Sequence, residues 1–503
     1  MHADAPSIDP LAPLNQARAP RPDAAVAPTE DASRIDAIDV ARGFALLGIF
    51  MVNIQVFAHP LGSMFSAGAM EGSSALDRVV HFLKHVLCEG RFYPFFSLLF
   101  GMGLVLQTGR LAAARGAAWP VYIRRLLVLA VLGLCHGFLL WYGDILFVYS
   151  VVGLVLLLCS RARPKVLLGV GLGLLAWAVL VGSVMGLAGF LAAGSREDGR
   201  GANPAHVHGA DVAGAAQAPG ADVPAPVSEA PAHPPGFIDT TPATPDRAEF
   251  ARWAERGPGN RLIYGLATDQ VRDGPQDPAW RALETQALRD GPYMQALLVR
   301  ALDYLVCLAF AVLSYGWHVA AMFFIGAALM KWRFFDADRA PWQRRFVWLG
   351  FGVGLPVSIG LAALHGVASD RVSSLAAGVL TYVPGTLMPL GYLGAVTLIV
   401  RGGMLRAVTR PVSCAGRMGL TNYLSETIIA TGIFYHWGLG RFGTMGHAAQ
   451  AGVVLAVYAA LVVVSVLWLR VFRFGPMEWL WRTLTYLRWQ PMARERAAGG
   501  RGP

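Results

Sequence analysis

The chain has 503 residues, of which 55% are apolar and only 15% charged, and its mean hydropathy is +0.47. That balance excludes a soluble enzyme of this size, and equally a disordered or collagen-like chain, and leaves a polytopic membrane protein. The 42 Lys+Arg outnumber the 32 Asp+Glu for a net charge of +10, so where the arginines stand decides what the charge means.

Residues 1–33, rich in Ala, Pro and Asp, contain no apolar core of a cleavable signal peptide and read as a disordered cytoplasmic tail. The first apolar run then serves as an uncleaved signal-anchor. A spanning helix needs roughly 20 mostly apolar residues. Ten runs qualify, near Ile38–Ala58, Phe92–Thr108, Val121–Trp141, Ile145–Ser160, Val166–Ala193, Asp303–Met330, Phe346–His365, Leu375–Val400, Met418–His436 and Ala451–Leu469. The sixth is long enough to be tilted or broken. The fold class expected is therefore all-α, a polytopic bundle of about ten transmembrane helices. It is divided into a first half at 34–194, an extracytoplasmic loop at 195–295, a second half at 296–473, and a cytoplasmic interfacial helix and tail at 474–503.

Basic residues follow every even-numbered run. Arg110, Arg115, Arg124 and Arg125 come after the second, Arg161, Arg163 and Lys165 after the fourth, and Lys331, Arg333, Arg339, Arg344 and Arg345 after the sixth. Arg401, Arg406, Arg410 and Arg417 follow the eighth, and Arg470, Arg473, Arg482 and Arg488 the tenth. By the positive-inside rule both termini face the cytoplasm. The loop at 195–295 holds 9 Arg against 14 Asp+Glu. An acidic segment on the outer side fits that orientation. Its first part reads as low-complexity, and Pro245–Tyr293 as room for short amphipathic helices, so a linker or partial lid is expected and not a second catalytic domain.

The glycine clusters Gly169–Gly173, Gly182–Gly186 and Gly350–Gly354 lie inside apolar runs with no strand before them, which points to close helix packing and not to a dinucleotide site. The five cysteines, Cys88, Cys135, Cys159, Cys307 and Cys414, are scattered, and neither a disulfide framework nor a metal site is expected.

Ionisable groups inside spans are expensive and mark candidate sites. One group stands toward the cytoplasmic side: Asp39 and Arg42 on the first span, with Asn53 higher, and Asn422 and Glu426 on the ninth. A second stands toward the outer side. His136 lies near the end of the third span and Asp144 in the tight connection that follows, so the two approach across the hairpin. Arg91 opens the second span from the same side, His436 closes the ninth, and His81 and His85 share one helix face just before Arg91. An imidazole oriented by a carboxylate is the general base that acyl transfer requires. His136 with Asp144 is the leading pair, with a polar contact between helices as the competing reading of His136. Solvated interfacial residues are the simpler reading of His81 and His85, and His318 and His365 read as structural. Asp39 and Arg42 read first as an ion pair that fixes the first helix. The aromatic and basic stretch Phe474–Trp489 reads as a helix lying in the inner interface, and nucleic-acid binding is not expected.

Five stretches carry a family resemblance: RIDAIDVARGFALLGIFMVNI from Arg34, GRFYPFFSLLFGMG from Gly90, RRLLVLAVLGLCHGFLLWYGDILFVYSVVG from Arg124, GRMGLTNYLSETII from Gly416 and FGPMEWLWRTLTY from Phe474. Together they resemble the YeiB-like bacterial membrane family, domain of unknown function 418. That family is similar to a transmembrane acyltransferase clan that includes heparan-glucosaminide N-acetyltransferases and bacterial glycan O-acyltransferases. The resemblance implies an inner-membrane enzyme that moves an acyl group from a cytoplasmic thioester to a glycan or lipid-linked acceptor. Acyl-CoA is then the donor substrate, and no tightly bound cofactor is implied. O-acyltransferases of the clan carry a histidine eleven residues beyond an arginine of the first span, and counting from Arg42 lands on Asn53. The glucosaminide branch is similar to this chain in having asparagine near that point, with its histidine before the second span, where His81 stands.

Two functions are thus expected from different classes. In the first, an acyltransferase, His136, Asp144 and Arg91 act as base, orienter and stabiliser of developing charge, while Asp39, Arg42, Asn53, Asn422 and Glu426 serve the substrate. The second is a transporter or exporter of a small metabolite, with Glu426 or His136 as a proton relay, which the division of the spans into five and five also suits.

Overall fold

The computed structural model describes residues 36–65, 74–112, 118–201, 278–367, 370–403 and 405–494. The expected tail at 1–33 and most of the expected loop at 195–295 lie outside these residues. Among the described residues there is no β-strand, only an isolated bridge between Phe472 and Ala493. In chain order the helices are α1 (Asp36–Ala58), α2 (Ala75–Leu87), α3 (Phe92–Ala112), α4 (Ala118–Cys135), α5 (Leu146–Leu158) and α6 (Pro164–Gly201). After the undescribed stretch come α7 (Pro278–Asp290), α8 (Tyr293–Leu313), α9 (Tyr315–Lys331), α10 (Ala340–Val347), α11 (Leu355–Val367) and α12 (Asp370–Leu380). The chain ends with α13 (Tyr382–Arg401), α14 (Arg406–Arg417), α15 (Gly419–Phe434), α16 (His447–Val471) and α17 (Pro476–Tyr486).

Eight helices among the described residues are long and apolar enough to cross a membrane: α1, α2 running into α3, α4 with the turn after it, α6, α8, α10 running into α11, α13 and α16. The shorter α5, α9 and α15 complete the bundle. Its outer surface carries many large apolar side chains. Val184 and Leu191 on α6, Val463 and Leu467 on α16 and Trp348 are all more than half exposed, an arrangement that lipid favours and water does not. The chain is an all-α membrane protein.

Two expected spans are broken. The run Asp303–Met330 divides at Ser314, which leaves helical geometry (φ −136°, ψ −95°), and α8 starts well upstream at Tyr293. The run Leu375–Val400 divides into α12 and α13. A third interruption falls at Cys88–Arg91, between α2 and α3, where Gly90 takes φ +71°. The ring of Phe92, just after it, packs on Gly48, so closely that an added Cβ there would lie 2.1 Å from the ring. Gly48 is twelve residues along α1, about 18 Å from its start. Arg91 therefore belongs to a break within the helical layer and does not open a span from the outer edge.

The glycine clusters pack helices together as the sequence suggests. An added Cβ on Gly378 would meet the Gly182 carbonyl oxygen at 2.4 Å, and one on Gly350 the Gly391 Cα at 2.6 Å. Small residues allow such approach in lipid. Another close approach, Gly416 against the Asp39 carbonyl, joins α14 to α1. Beyond α3 and the α4–α5 connection, where Trp141 stacks on Phe57, α1 packs chiefly on α13, α14, α15 and α16, all from the second half of the chain.

Candidate active site

α4 ends in a π-helical turn, His136–Leu140, closed by the Trp141 N–H donating to the His136 carbonyl at 2.9 Å. Such widened turns recur at functional sites. The chain then reverses into α5, whose first turn is capped by Asp144: its Oδ2 accepts the Phe147 N–H at 3.0 Å. The other oxygen, Oδ1, lies 2.9 Å from His136 Nδ1. His136 and Asp144 are 2% and 3% exposed. With Asp144 as the acceptor, Nδ1 is the donor, and Nε2 faces the hydroxyl of Thr427 on α15 at 2.9 Å. The hairpin contact expected from the sequence is present, and Thr427 is its third member.

A cavity of about 240 Å³ lies nearby; neither His136 nor Asp144 lines it, but their neighbours do. Ile145, next to Asp144, and Tyr423 line it, and the Tyr423 ring centroid is 5.1 Å from that of His136. Four arginines, Arg42, Arg125, Arg417 and Arg482, line it too, against the two carboxylates Asp39 and Glu478. Cations prevail. Arg42 Nη1 lies 3.4 Å from Asp39 Oδ1, as i,i+3 spacing on α1 allows. The Arg125 guanidinium sits 3.7 Å over the Trp481 ring. Glu478 accepts the N–H groups of Leu420 (2.7 Å) and Thr421 (3.1 Å), so α17 is bound to the start of α15 and forms a wall of the cavity. The stretch expected to be interfacial architecture alone thus supplies Glu478, Trp481 and Arg482 to the site.

The other expected site residues separate. Arg91 is 2% exposed, donates to the Glu89 carbonyl and, at 2.6 Å, to Ser358 Oγ. It serves the α2/α3 break and does not converge on His136, because the break turns its guanidinium toward α11. Asn422 donates to the Ala415 carbonyl and to Ser465 Oγ, both at 3.0 Å, and braces α14, α15 and α16. Glu426 is 2% exposed, with Oε1 lacking a hydrogen-bond partner among the described residues, and neither it nor Asn422 lines the cavity. Asn53 is half-buried on α1. The His81 ring lies 4.6 Å from that of His447 and 6.4 Å from that of His85, which is 2.8 Å from Glu89 Oε2. Lys84 joins this group through Glu89 at 3.2 Å and through Gln55. His436 stands apart, beside Gly291 and Tyr293, and burial holds its pKa below the ordinary histidine value. Among the described residues no group of three or more His, Cys, Asp or Glu is placed to hold a metal ion.

Residues 329–488 match the family model described as protein of unknown function, DUF418. The chain is 29% identical to the uncharacterized protein YxaH of Bacillus subtilis over 487 residues, 93% of this chain and 98% of the relative. It is 28% identical to the uncharacterized protein YeiB of Escherichia coli over 454 residues, 89% of this chain and 95% of the relative. The chain is thus similar to the YeiB-like DUF418 proteins, by the family model over its second membrane half and by these relatives along most of its length. Both alignments run through both membrane halves, and the family match takes in Arg417, Tyr423, Thr427, Glu478 and Arg482 of the site. No solved structure matches the chain.

Proposed function

We propose that this YeiB-like protein is an inner-membrane acyltransferase, with both termini cytoplasmic and the arginine-lined cavity open to a cytoplasmic thioester donor such as acyl-CoA. The observation that carries the reading is the cavity itself: it joins four arginines to the neighbourhood of a carboxylate-oriented histidine. Arginines bind phosphate groups through charge-assisted, often bidentate hydrogen bonds, and a donor anchored there extends its acyl end toward Tyr423 and His136. An acceptor hydroxyl or amine of a glycan or lipid-linked substrate takes the place that Thr427 holds at Nε2. His136 removes its proton as it attacks the thioester carbonyl, Asp144 steadies the imidazolium, and collapse of the tetrahedral intermediate expels the thiolate, which takes up the proton. Tyr423, on the cavity wall, replaces Arg91 as the donor to the developing oxyanion. Purified protein given acyl-CoA and membrane-derived acceptors should consume donor, and His136→Ala should lower that rate by roughly 10²–10⁴-fold. Transfer at the wild-type rate by His136→Ala would overturn the assignment.

A second reading, transport of a small metabolite, is favoured by one observation: the α2/α3 break inside the layer, with Lys84, His85, Glu89 and Arg91 gathered around it. Interrupted helices with charged groups are a recurrent transporter device. Proteoliposomes separate the two, since substrate flux without any thioester supports transport and donor turnover without flux supports the enzyme.

A further inference from the structure

The last turn of a helix leaves carbonyl groups without intrahelical partners, and the π-helical turn His136–Leu140 is such an end, since Trp141 beyond it is extended (φ −160°, ψ 128°). Three of its carbonyls are taken up from outside by one helix, α8. Arg300 Nε donates to the Phe138 carbonyl at 3.1 Å and Nη1 to the Leu140 carbonyl at 3.3 Å. The Tyr293 hydroxyl donates to the Leu139 carbonyl at 3.2 Å. A third α8 residue, Tyr304, lays its ring on Gly137, where an added Cβ would lie 2.4 Å from Cζ. The spacing explains the grip. Tyr293, Arg300 and Tyr304 are seven and four residues apart, which sets them along one face of α8.

Arg300 is 1% exposed and forms no ion pair among the described residues. A buried guanidinium without a carboxylate carries a heavy desolvation cost, and its partners are two main-chain carbonyls within four residues of His136. A planar fork suits two carbonyls at once; an ammonium on a flexible stem does not.

We propose that Arg300, supported by Tyr293, is the positioning residue of His136: α8 sets the width of the π-helical turn and so the direction in which the imidazole presents Nε2. The catalytic consequence rests on the acyltransferase reading, but the positioning itself does not.

The test uses the full chain in detergent, labelled with ¹⁵N-histidine, as wild type, Arg300→Ala, Arg300→Lys and Tyr293→Phe, with the His136 signals assigned by their loss in His136→Gln. The nitrogen shifts report which ring nitrogen carries the proton and how it is hydrogen-bonded, which a loss of stability alone does not move. Arg300→Ala should shift the His136 signals away from the single Nδ1–H form, with Arg300→Lys and Tyr293→Phe giving smaller changes in the same direction. In parallel, kcat for acyl transfer should fall by about 10²-fold in Arg300→Ala, since an ångström of misplacement costs that much, with KM for the thioester unchanged and partial recovery in Arg300→Lys. Unchanged His136 signals in Arg300→Ala, even with a lower melting temperature, would overturn the proposal. Should Arg300→Ala fail to fold, unchanged signals in both Arg300→Lys and Tyr293→Phe would overturn it equally. Altered signals in a protein whose wild type transfers no acyl group would leave the positioning intact and remove the acyltransferase reading.

Discussion

Asp144 does two jobs with two oxygens, capping α5 through Phe147 and holding His136 through Nδ1. Asp144→Asn keeps the shape but presents an N–H₂ group where a hydrogen-bond acceptor is needed. It is expected to lower stability by about 1–3 kcal/mol, the range for a buried group left unsatisfied, and to reduce transfer more than it reduces donor binding; thermal unfolding and steady-state kinetics check the two effects. The cavity arginines should behave in the opposite way. Arg125→Gln removes a cation stacked on Trp481 and is expected to raise KM for acyl-CoA about tenfold while kcat changes little, as the loss of a charge-assisted contact of roughly 1.5 kcal/mol implies. The pair His136 and Asp144 was legible in the sequence because eight residues and one tight turn bring them together. Thr427 was not, since it lies 291 residues from His136 and nothing local marks a threonine inside an apolar helix. Arg417 and Arg482 were visible, but as orientation signals, because a count of charges says nothing about which of them face inward.

At the level of elements, the informative departures are the interrupted helices. The length of the sixth run already allowed for a break, but hydropathy reads a run as continuous wherever its composition stays apolar, so its place at Ser314 and the depth of the break at Gly90 depend on packing partners that the run does not contain. Arg91 was misplaced for that reason: its partner Ser358 lies on α11, far along the chain. Short amphipathic helices were expected before Tyr293, and α7 is one, but its buried side was not foreseen. Glu284 of α7 is fully buried, accepts the Leu61 N–H at 3.0 and 3.1 Å and takes a hydrogen bond from Tyr142 at 3.4 Å. Burial, and then the nearby charge of Asp303, hold its pKa well above the ordinary carboxylate value of 4.5. A neutral Glu284 therefore binds a proton in the fold that the unfolded chain has already released. Its contribution is complete below pH 4.5 and is lost as pH rises, at a slope of up to about 1.4 kcal/mol per pH unit. Thermal unfolding between about pH 5 and pH 8 should show stability falling with pH through this contribution, and Glu284→Gln should flatten the dependence.

For the whole molecule, the proposed orientation makes a prediction of its own. Single cysteines introduced near residue 20 and near residue 498 should be shielded from a membrane-impermeant thiol reagent in intact cells, and one introduced near residue 230 should react. Reaction of either terminal position would reverse the orientation and place the arginine-lined cavity on the wrong side for a cytoplasmic donor. The packing of α1 bears on how such a bundle is made. Its partners α13, α14, α15 and α16 are more than 300 residues downstream, and at the usual pace of synthesis they emerge some tens of seconds after it. Through that interval α1, with Asp39 and Arg42 on its flank, has only its early neighbours and the bilayer for company. The internal Asp39–Arg42 pair lets two opposite charges on the waiting helix offset each other, and cells making this protein are expected to depend on the insertion machinery to shelter α1 until the last helices arrive.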